Sequence, residues 1–480
     1  MMMDTPVGII YGDIKPTLVN CSVVGNIRQG DYVKIKHHEV GWVLGRVDSI
    51  EAKTNLSIEK SYEIMNGKEI QVEQSISSQI IIIGYRDERG LIQTPRTPFT
   101  AGTPVFHADD DFISQVLNLG MGKKSRAYIG LVYHHQIPYS IDINTMIQKH
   151  ISVLAKTGGG KSYLTGVIIE ELMKNDVTVL IFDPHGEYES MKYPAKYNPD
   201  MERFNVKPRG YPEKIIKISP EGGDVGLRFT LAQINIKELI GLMNLSDPRS
   251  YFVPLRKAVD SLRLKTAEYD IDDIIKELKQ IDDSSLSQTL ERELRYLKSL
   301  NIFSKKGLKI DEIVKKGKVS VIEMKGIPPD VQQFIVERLL YVLFEARKKD
   351  KIPPMLVVVE EAHNFAPQQG KSLSSKIMRT VASEGRKFGF GLLVVTQRPA
   401  KIDKNVLSQC STQLILKITN PNDLKAISNS VENITSSSVD EIQRLPIGVA
   451  LATSPDLPIP LFIEVRPRET DDGGKNIKVV

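Results

Sequence analysis

Residues 151–165 read ISVLAKTGGGKSYLT. The apolar run Ile151, Val153, Leu154 has the character of a buried strand, and the chain from Gly160 onward has helical character. Three consecutive glycines stand between them. Closely spaced glycines let successive backbone N–H groups turn inward and admit a polyphosphate without Cβ clashes. The helix that follows adds its free N–H groups and the positive end of its dipole. Lys161 supplies a charge for the β- and γ-phosphates, and Ser162 a hydroxyl for Mg²⁺. The stretch is a phosphate-binding loop at a strand-to-helix junction. Its nucleotide-binding set is Thr157, Gly158, Gly159, Gly160, Lys161, Ser162 and Tyr163. The first position of the usual GxxxxGKS/T pattern is Ala155 here, the smallest replacement for glycine.

The chain has 480 residues, enough for two or three domains with sizeable cores. A hydrophobic content of 41% beside 26% charged residues is that of a water-soluble globular protein. The apolar runs at 80–83 and 355–359 fall far short of the roughly 18 residues a membrane-spanning helix requires. The N-terminal MMMDTPVG lacks the basic and apolar segments of a secretion signal. Cys21 and Cys410 lie far apart and outside any metal-ligand spacing, which fits a reducing cytoplasm. A net charge of +5 permits a polyanionic partner without requiring one.

Working outward, residues 1–100 predict a small barrel or sandwich of short Val- and Ile-containing strands separated by glycines. Alternation would send His37 and His38 to opposite, exposed faces of a strand, so no shared metal is expected there. Pro, Thr and Gly at 92–104 mark a linker, and 101–150 reads as a connecting segment. Residues 151–234 form the first part of an α/β core. Within it, the unbroken apolar run 177–182 predicts a strand covered on both faces, as in a parallel sheet. It ends in Asp183-Pro184-His185-Gly186-Glu187-Tyr188 at the sheet's carboxyl edge, where α/β folds place ligands. Asp183 and Glu187 are therefore candidate site residues, with a turn or helix cap as the plainer alternative. Residues 235–305 turn helical: Leu286, Leu290, Leu294 and Leu297, and likewise Ile271, Ile274, Ile275 and Leu278, fall on single helix faces and predict an insertion packed on the core. The core resumes over 306–460, and 461–480 holds a last strand and a polar tail.

A second buried strand, 355–359, ends in Glu360-Glu361. Two acids at the tip of such a strand, downstream of a phosphate-binding loop, suit nucleotide hydrolysis. Glu360 is assigned to the Mg²⁺ shell and Glu361 to the attacking water. The neighbouring run 391–395 carries Gln397, whose amide can donate to a phosphate and accept from water. Arg386, just upstream, either pairs with a surface acid or reaches a neighbouring subunit's nucleotide as an arginine finger.

AKTGGGKS, FDPHGEY, VVVEEAHNF, SEGRKFG and VVTQRP, in this order, resemble the HerA proteins of the HerA–FtsK superfamily over almost the whole chain. The resemblance implies a RecA-like ATPase core with an N-terminal HAS-barrel. It implies an archaeal, ring-shaped, usually hexameric translocase or helicase acting on double-stranded DNA with ATP and Mg²⁺. It also implies a partner nuclease, NurA, docked on the barrel in DNA-end resection at double-strand breaks. Carried over by position, Lys161 and Ser162 bind phosphate, Glu361 is catalytic, Asp183 lies in a functional motif, Gln397 on the sensor strand, and Arg386 at the trans-acting finger. Lys149-His150 stands where the family more often has Arg-His. Lys149 joins the nucleotide-binding set with its charge kept and the planar fork lost.

With ATP on the loop, Glu361 would orient water for in-line attack and the next subunit's Arg386 would stabilise the transferring phosphoryl group. Lys371, Lys376, Lys401 and Lys404, on the loops after the two core strands, are the candidates for pulling a phosphate backbone. Two other classes stay open on the sequence: a related ring ATPase that moves protein or docks at a membrane, and a nucleotide-gated scaffold for a nuclease.

Overall fold

Six strands, Gly8–Ile14, Leu18–Val23, Tyr32–His37, Gly41–Thr54, Gln74–Arg86 and Pro104–His107, close into a barrel. Closure follows because Leu18–Val23 pairs antiparallel with Gly8–Ile14 on one side and Gln74–Arg86 on the other. Val19, Val33, Ile35, Val43, Ile80 and Val105 point inward and are fully buried. Closing the sheet leaves no unpaired edge along these strands. The computed structural model describes residues 5–119, 125–281, 285–431, 434 and 436–473; the end of the polar tail, 474–480, lies outside the described residues.

Two features of this region depart from the sequence pattern. His37 ends a strand and His38 begins the turn, so their rings stack with centroids 4.4 Å apart instead of facing opposite ways. His37 is buried, and its ring nitrogens are taken by the Thr97 carbonyl and the Glu39 N–H. Residues 101–150 are divided between two sheets. Pro104–His107 is a barrel strand, whereas Arg126–Val132 and Pro138–Asp142 are edge strands of the main sheet. Proline at a strand's first position needs no ladder donor, which hid the last barrel strand within a Pro-rich stretch.

The main sheet has, at its centre, Thr178–Asp183, Met355–Val359, Phe390–Thr396, Ile151–Leu154 and Thr412–Ile415 in that order, all parallel. Every residue of these five strands is buried. Alternate side chains serve opposite faces. Leu180, Phe182, Val357 and Val359 pack with the helix Pro329–Lys348 and the insertion, while Val179, Ile181, Leu356 and Val358 pack with the P-loop helix Lys161–Lys174. That two-sided burial explains the unbroken apolar runs. The insertion helices Phe252–Lys265, Ile271–Ile281 and Ser285–Ser299 bury their stripes as expected, with Leu290, Leu294 and Leu297 wholly inside. A RecA-like arrangement with a barrel and a helical insertion is what the chain adopts. No helix of the described residues is long and apolar enough to cross a membrane.

The C-terminal strand Leu461–Val465 pairs antiparallel with Val449–Thr453 and Arg126–Val132. Residues 466–471 then run back along the P-loop helix. Arg466, wholly buried, donates to Glu170 at 2.9 Å and Glu171 at 2.7 Å, both on that helix. Thr470 donates its N–H and hydroxyl to the other Glu170 oxygen. The Arg468 guanidinium lies against Gly166, where a Cβ would come within 2.6 Å of it.

Candidate nucleotide site

Parallel register places the carboxyl ends of neighbouring strands together, so four separate segments of sequence meet at one edge. The strand Ile151–Leu154 leads into the glycine loop. Gly158 and Gly160 have φ of 70° and 91°, conformations open to glycine at little cost. Ala155 has no positive φ and its methyl is buried in the core, which is why alanine is accepted there. Lys161 and Ser162 open the helix with Gly160 as its cap, leaving the first N–H groups facing the loop. Thr157 and Gly158 are exposed, so the cradle is open to a ligand.

Lys161 reaches across this edge. Its Nζ lies 2.9 Å from Glu361 Oε1 and 3.9 Å from Glu360 Oε2. Burial works to lower the lysine's pKa, but the two carboxylates outweigh it and the net shift is upward, so the charge is secure. Glu360 is buried and accepts a hydrogen bond from the Tyr188 hydroxyl. Burial raises its pKa to about 7, against the opposing pull of Lys161 and Tyr188. Glu361 follows at φ 49°, and this left-handed turn keeps the second of two consecutive acids beside Lys161 as well. Oε2 of each glutamate is buried without a hydrogen-bond partner among the described residues. Glu360 Oε2, a hard oxygen lacking a donor, with the Ser162 hydroxyl on the facing loop, is a donor set that suits Mg²⁺.

Gln397 accepts a hydrogen bond from the Thr157 hydroxyl, so the sensor strand touches the glycine loop. Tyr163 accepts the Arg468 N–H at 2.8 Å, which ties the C-terminal strap to the first turn of the P-loop helix. Asp183 departs from its expected catalytic use. Its carboxylate accepts the N–H groups of His185, Gly186 and Tyr188 at 3.2, 2.8 and 3.1 Å, and burial raises its pKa. It holds the loop that carries Tyr188 onto Glu360, which makes it a positioning group.

Two further residues stand at the opposite edge. Lys149 precedes the strand Ile151–Leu154, and Arg386 precedes Phe390–Thr396. The four-residue strand after Lys149 spans about 13 Å and the seven-residue strand after Arg386 about 20 Å, which sets both residues toward the far end of the sheet from the glycine loop. Arg386 is exposed and has no ion-pair partner among the described residues. The adjacent His150 is structural. It bonds the Ala382 carbonyl and accepts the Leu392 N–H, and burial lowers its pKa to about 4.

Lys371, Lys376, Lys401 and Lys404 are all exposed. The loops bearing Lys371 and Lys401 are joined by backbone bonds: Gln368 N–H to Lys401 O and Asp403 N–H to Ala366 O, both 2.8 Å. Tyr188 and His363 are the site residues that sequence reasoning did not single out. They lie in FDPHGEY and VVVEEAHNF, but nothing in their spacing indicates a partner.

Residues 127–343 match the family model described as the central domain of helicase HerA, and residues 303–457 that of the HerA-like C-terminal domain. A probable helicase of Methanocaldococcus jannaschii, MJ1565, is 29% identical over 94% of this chain and 88% of its own length. The DNA double-strand break repair helicase HerA of Pyrococcus furiosus is 26% identical over 96% of this chain and 92% of its own. Among solved structures, VirB4 of Thermoanaerobacter pseudethanolicus superposes with a TM-score of 0.52 at 14% identity. It covers 72% of this chain and 98% of that one, a likeness of fold.

Proposed function

Since this chain belongs to the HerA helicase family, we propose that it is a cytoplasmic, ring-forming motor that couples ATP hydrolysis to movement along double-stranded DNA. In this reading it serves DNA-end resection with a NurA-type nuclease. The observation that carries the hydrolytic part is the 2.9 Å contact between Lys161 and Glu361. In it the phosphate-binding cation and the acid for water activation sit ready at one edge of a parallel sheet.

The geometry supports the following sequence of events. A triphosphate entering the glycine loop meets the N–H groups of the helix start and draws Lys161 onto its β- and γ-phosphates. Glu361 Oε1, released from the lysine, accepts from the attacking water and orients it in line. Glu360 and Ser162 would hold Mg²⁺, which neutralises charge on the phosphate oxygens when bound. Gln397, hydrogen-bonded to Thr157, lies where it can report on the γ-phosphate. Arg386 and Lys149, about a strand's length away, would serve the nucleotide of an adjacent copy. Lys371, Lys376, Lys401 and Lys404 would engage the DNA backbone, which predicts sequence-independent, salt-sensitive binding.

The test is ATP turnover with and without linear duplex DNA, together with a native mass measurement. The expected result is hydrolysis stimulated by DNA in a closed multimer. Turnover indifferent to DNA would overturn the motor reading and favour a scaffold or a protein-moving ATPase.

A further inference from the structure

His363 lies in the single turn Ala362–Asn364 directly after Glu361, half-buried. Its Nδ1 stands between two oxygens. One is the Thr396 hydroxyl at 3.0 Å, and the other is Glu361 Oε2 at 3.4 Å. That second oxygen is buried and has no hydrogen-bond partner among the described residues. A buried carboxylate oxygen with no donor is costly, and the imidazole N–H beside it is the nearby group able to serve it. A neutral imidazole has one N–H to give, and Nδ1 stands within reach of both oxygens.

On its other side His363 is connected to the lysine loops. The Thr396 hydroxyl also accepts the Arg398 N–H at 3.0 Å. Arg398 begins the segment that carries Lys401 and Lys404. That segment is fastened to the other lysine loop through Gln368 N–H to Lys401 O, Lys404 N–H to the Gln368 side chain, and Asp403 N–H to Ala366 O, all 2.8 Å. A displacement of either loop therefore reaches Thr396, whose backbone carbonyl accepts the Ala155 N–H of the glycine loop. Glu361 itself is poised to respond: its left-handed backbone is strained, and Lys161 is the nearest cation to one of its oxygens among the described residues.

We propose that His363 is the positioning residue through which a polyanion on the lysine loops sets the orientation of Glu361. Its Nδ1–H passes from the Thr396 hydroxyl to Glu361 Oε2 as Lys161 is drawn onto the phosphates. The donor lost from one carboxylate oxygen is thereby replaced on the other. The inference rests on the motor reading above and adds the route by which DNA contact reaches the water-activating acid.

The experiment measures ATP turnover of the full chain with Mg²⁺, with and without linear duplex DNA. In His363→Leu the DNA-to-no-DNA rate ratio collapses toward one, with kcat on DNA down about tenfold or more and KM for ATP moved by less than about twofold. His363→Asn, whose amide sits where Nδ1 does, recovers most of the ratio. His363→Gln, which reaches the Nε2 position, does not. Thr396→Val cuts the same route from the other end and lowers the ratio while leaving the imidazole in place. A wild-type ratio in His363→Leu, or in Thr396→Val should the leucine variant fail to assemble, overturns the relay. So does equal rescue by Asn and Gln, the mark of mere packing. A wild-type protein whose turnover ignores DNA overturns the motor reading, and the relay with it.

Discussion

Glu361 occupies a left-handed conformation, φ 49° and ψ 43°, which costs a non-glycine residue on the order of 1 kcal/mol or more. Without that turn, consecutive residues leaving a strand would alternate, and only one acid could face Lys161 from this strand tip. With it, both acids come to the lysine, Glu361 at 2.9 Å and Glu360 at 3.9 Å, and Glu360 also accepts from Tyr188. The division of labour predicts a division of phenotype. Glu361→Gln should retain nucleotide binding and lose about 10²–10⁴ in single-turnover hydrolysis, the range for a positioned base. Lys161→Ala should lose binding of the triphosphate as well. Equilibrium binding of a fluorescent nucleotide beside quenched-flow hydrolysis separates the two, and near-normal turnover in Glu361→Gln would move water activation elsewhere. The paired acids were legible from their place after an apolar run. Tyr188 was not, because its bond to Glu360 joins residues 172 positions apart.

Among the elements, the P-loop helix Lys161–Lys174 carries more than phosphate. Its Glu170 and Glu171 are buried beneath the C-terminal strap, where Arg466 meets both and Lys174 pairs with Glu171 and Glu469. Removing one partner of such a group strands the remaining charge in a dry place. Arg466→Met should therefore destabilise the protein by about 3–5 kcal/mol, seen as a large fall in melting temperature. A variant as stable as wild type would mean that the strap is dispensable. Because Arg468 also meets Tyr163, loosening the strap should weaken nucleotide affinity before it alters the chemistry. The helical insertion was plain from its leucine and isoleucine spacing, since that pattern repeats within a few turns. The strap was not, since its charges read as an ordinary polar tail.

At the level of the whole molecule, the sheet separates two chemistries by its own thickness along the strands. Acid and amide groups gather with the glycine loop at the carboxyl edge, while Arg386 and Lys149 stand at the amino edge. A complete site on the proposed mechanism therefore needs two copies. Arg386→Ala subunits doped into wild-type protein should depress turnover more steeply than their mole fraction, because each cripples a neighbour that is itself intact. A strictly proportional loss across the mixing series would place the arginine's action within its own subunit or outside catalysis.

The sequence by itself determined which strands are buried on both faces, where the glycine loop lies, which helices pack by one stripe, and that acids and an amide cap neighbouring strands. All of these are periodic or local patterns that a stretch of ten to twenty residues imposes through its own sterics and hydrophobicity. Only the tertiary structure decided that Asp183 spends its oxygens on its own loop, that Lys149 stands at the amino edge of the sheet, that Tyr188 and His363 attend the two glutamates, and that Arg466 finds Glu170 from 296 positions away. A hydrogen bond or buried ion pair depends on which strands become neighbours and in what register. Those are properties of the folded sheet as a whole, which no single segment of the chain encodes.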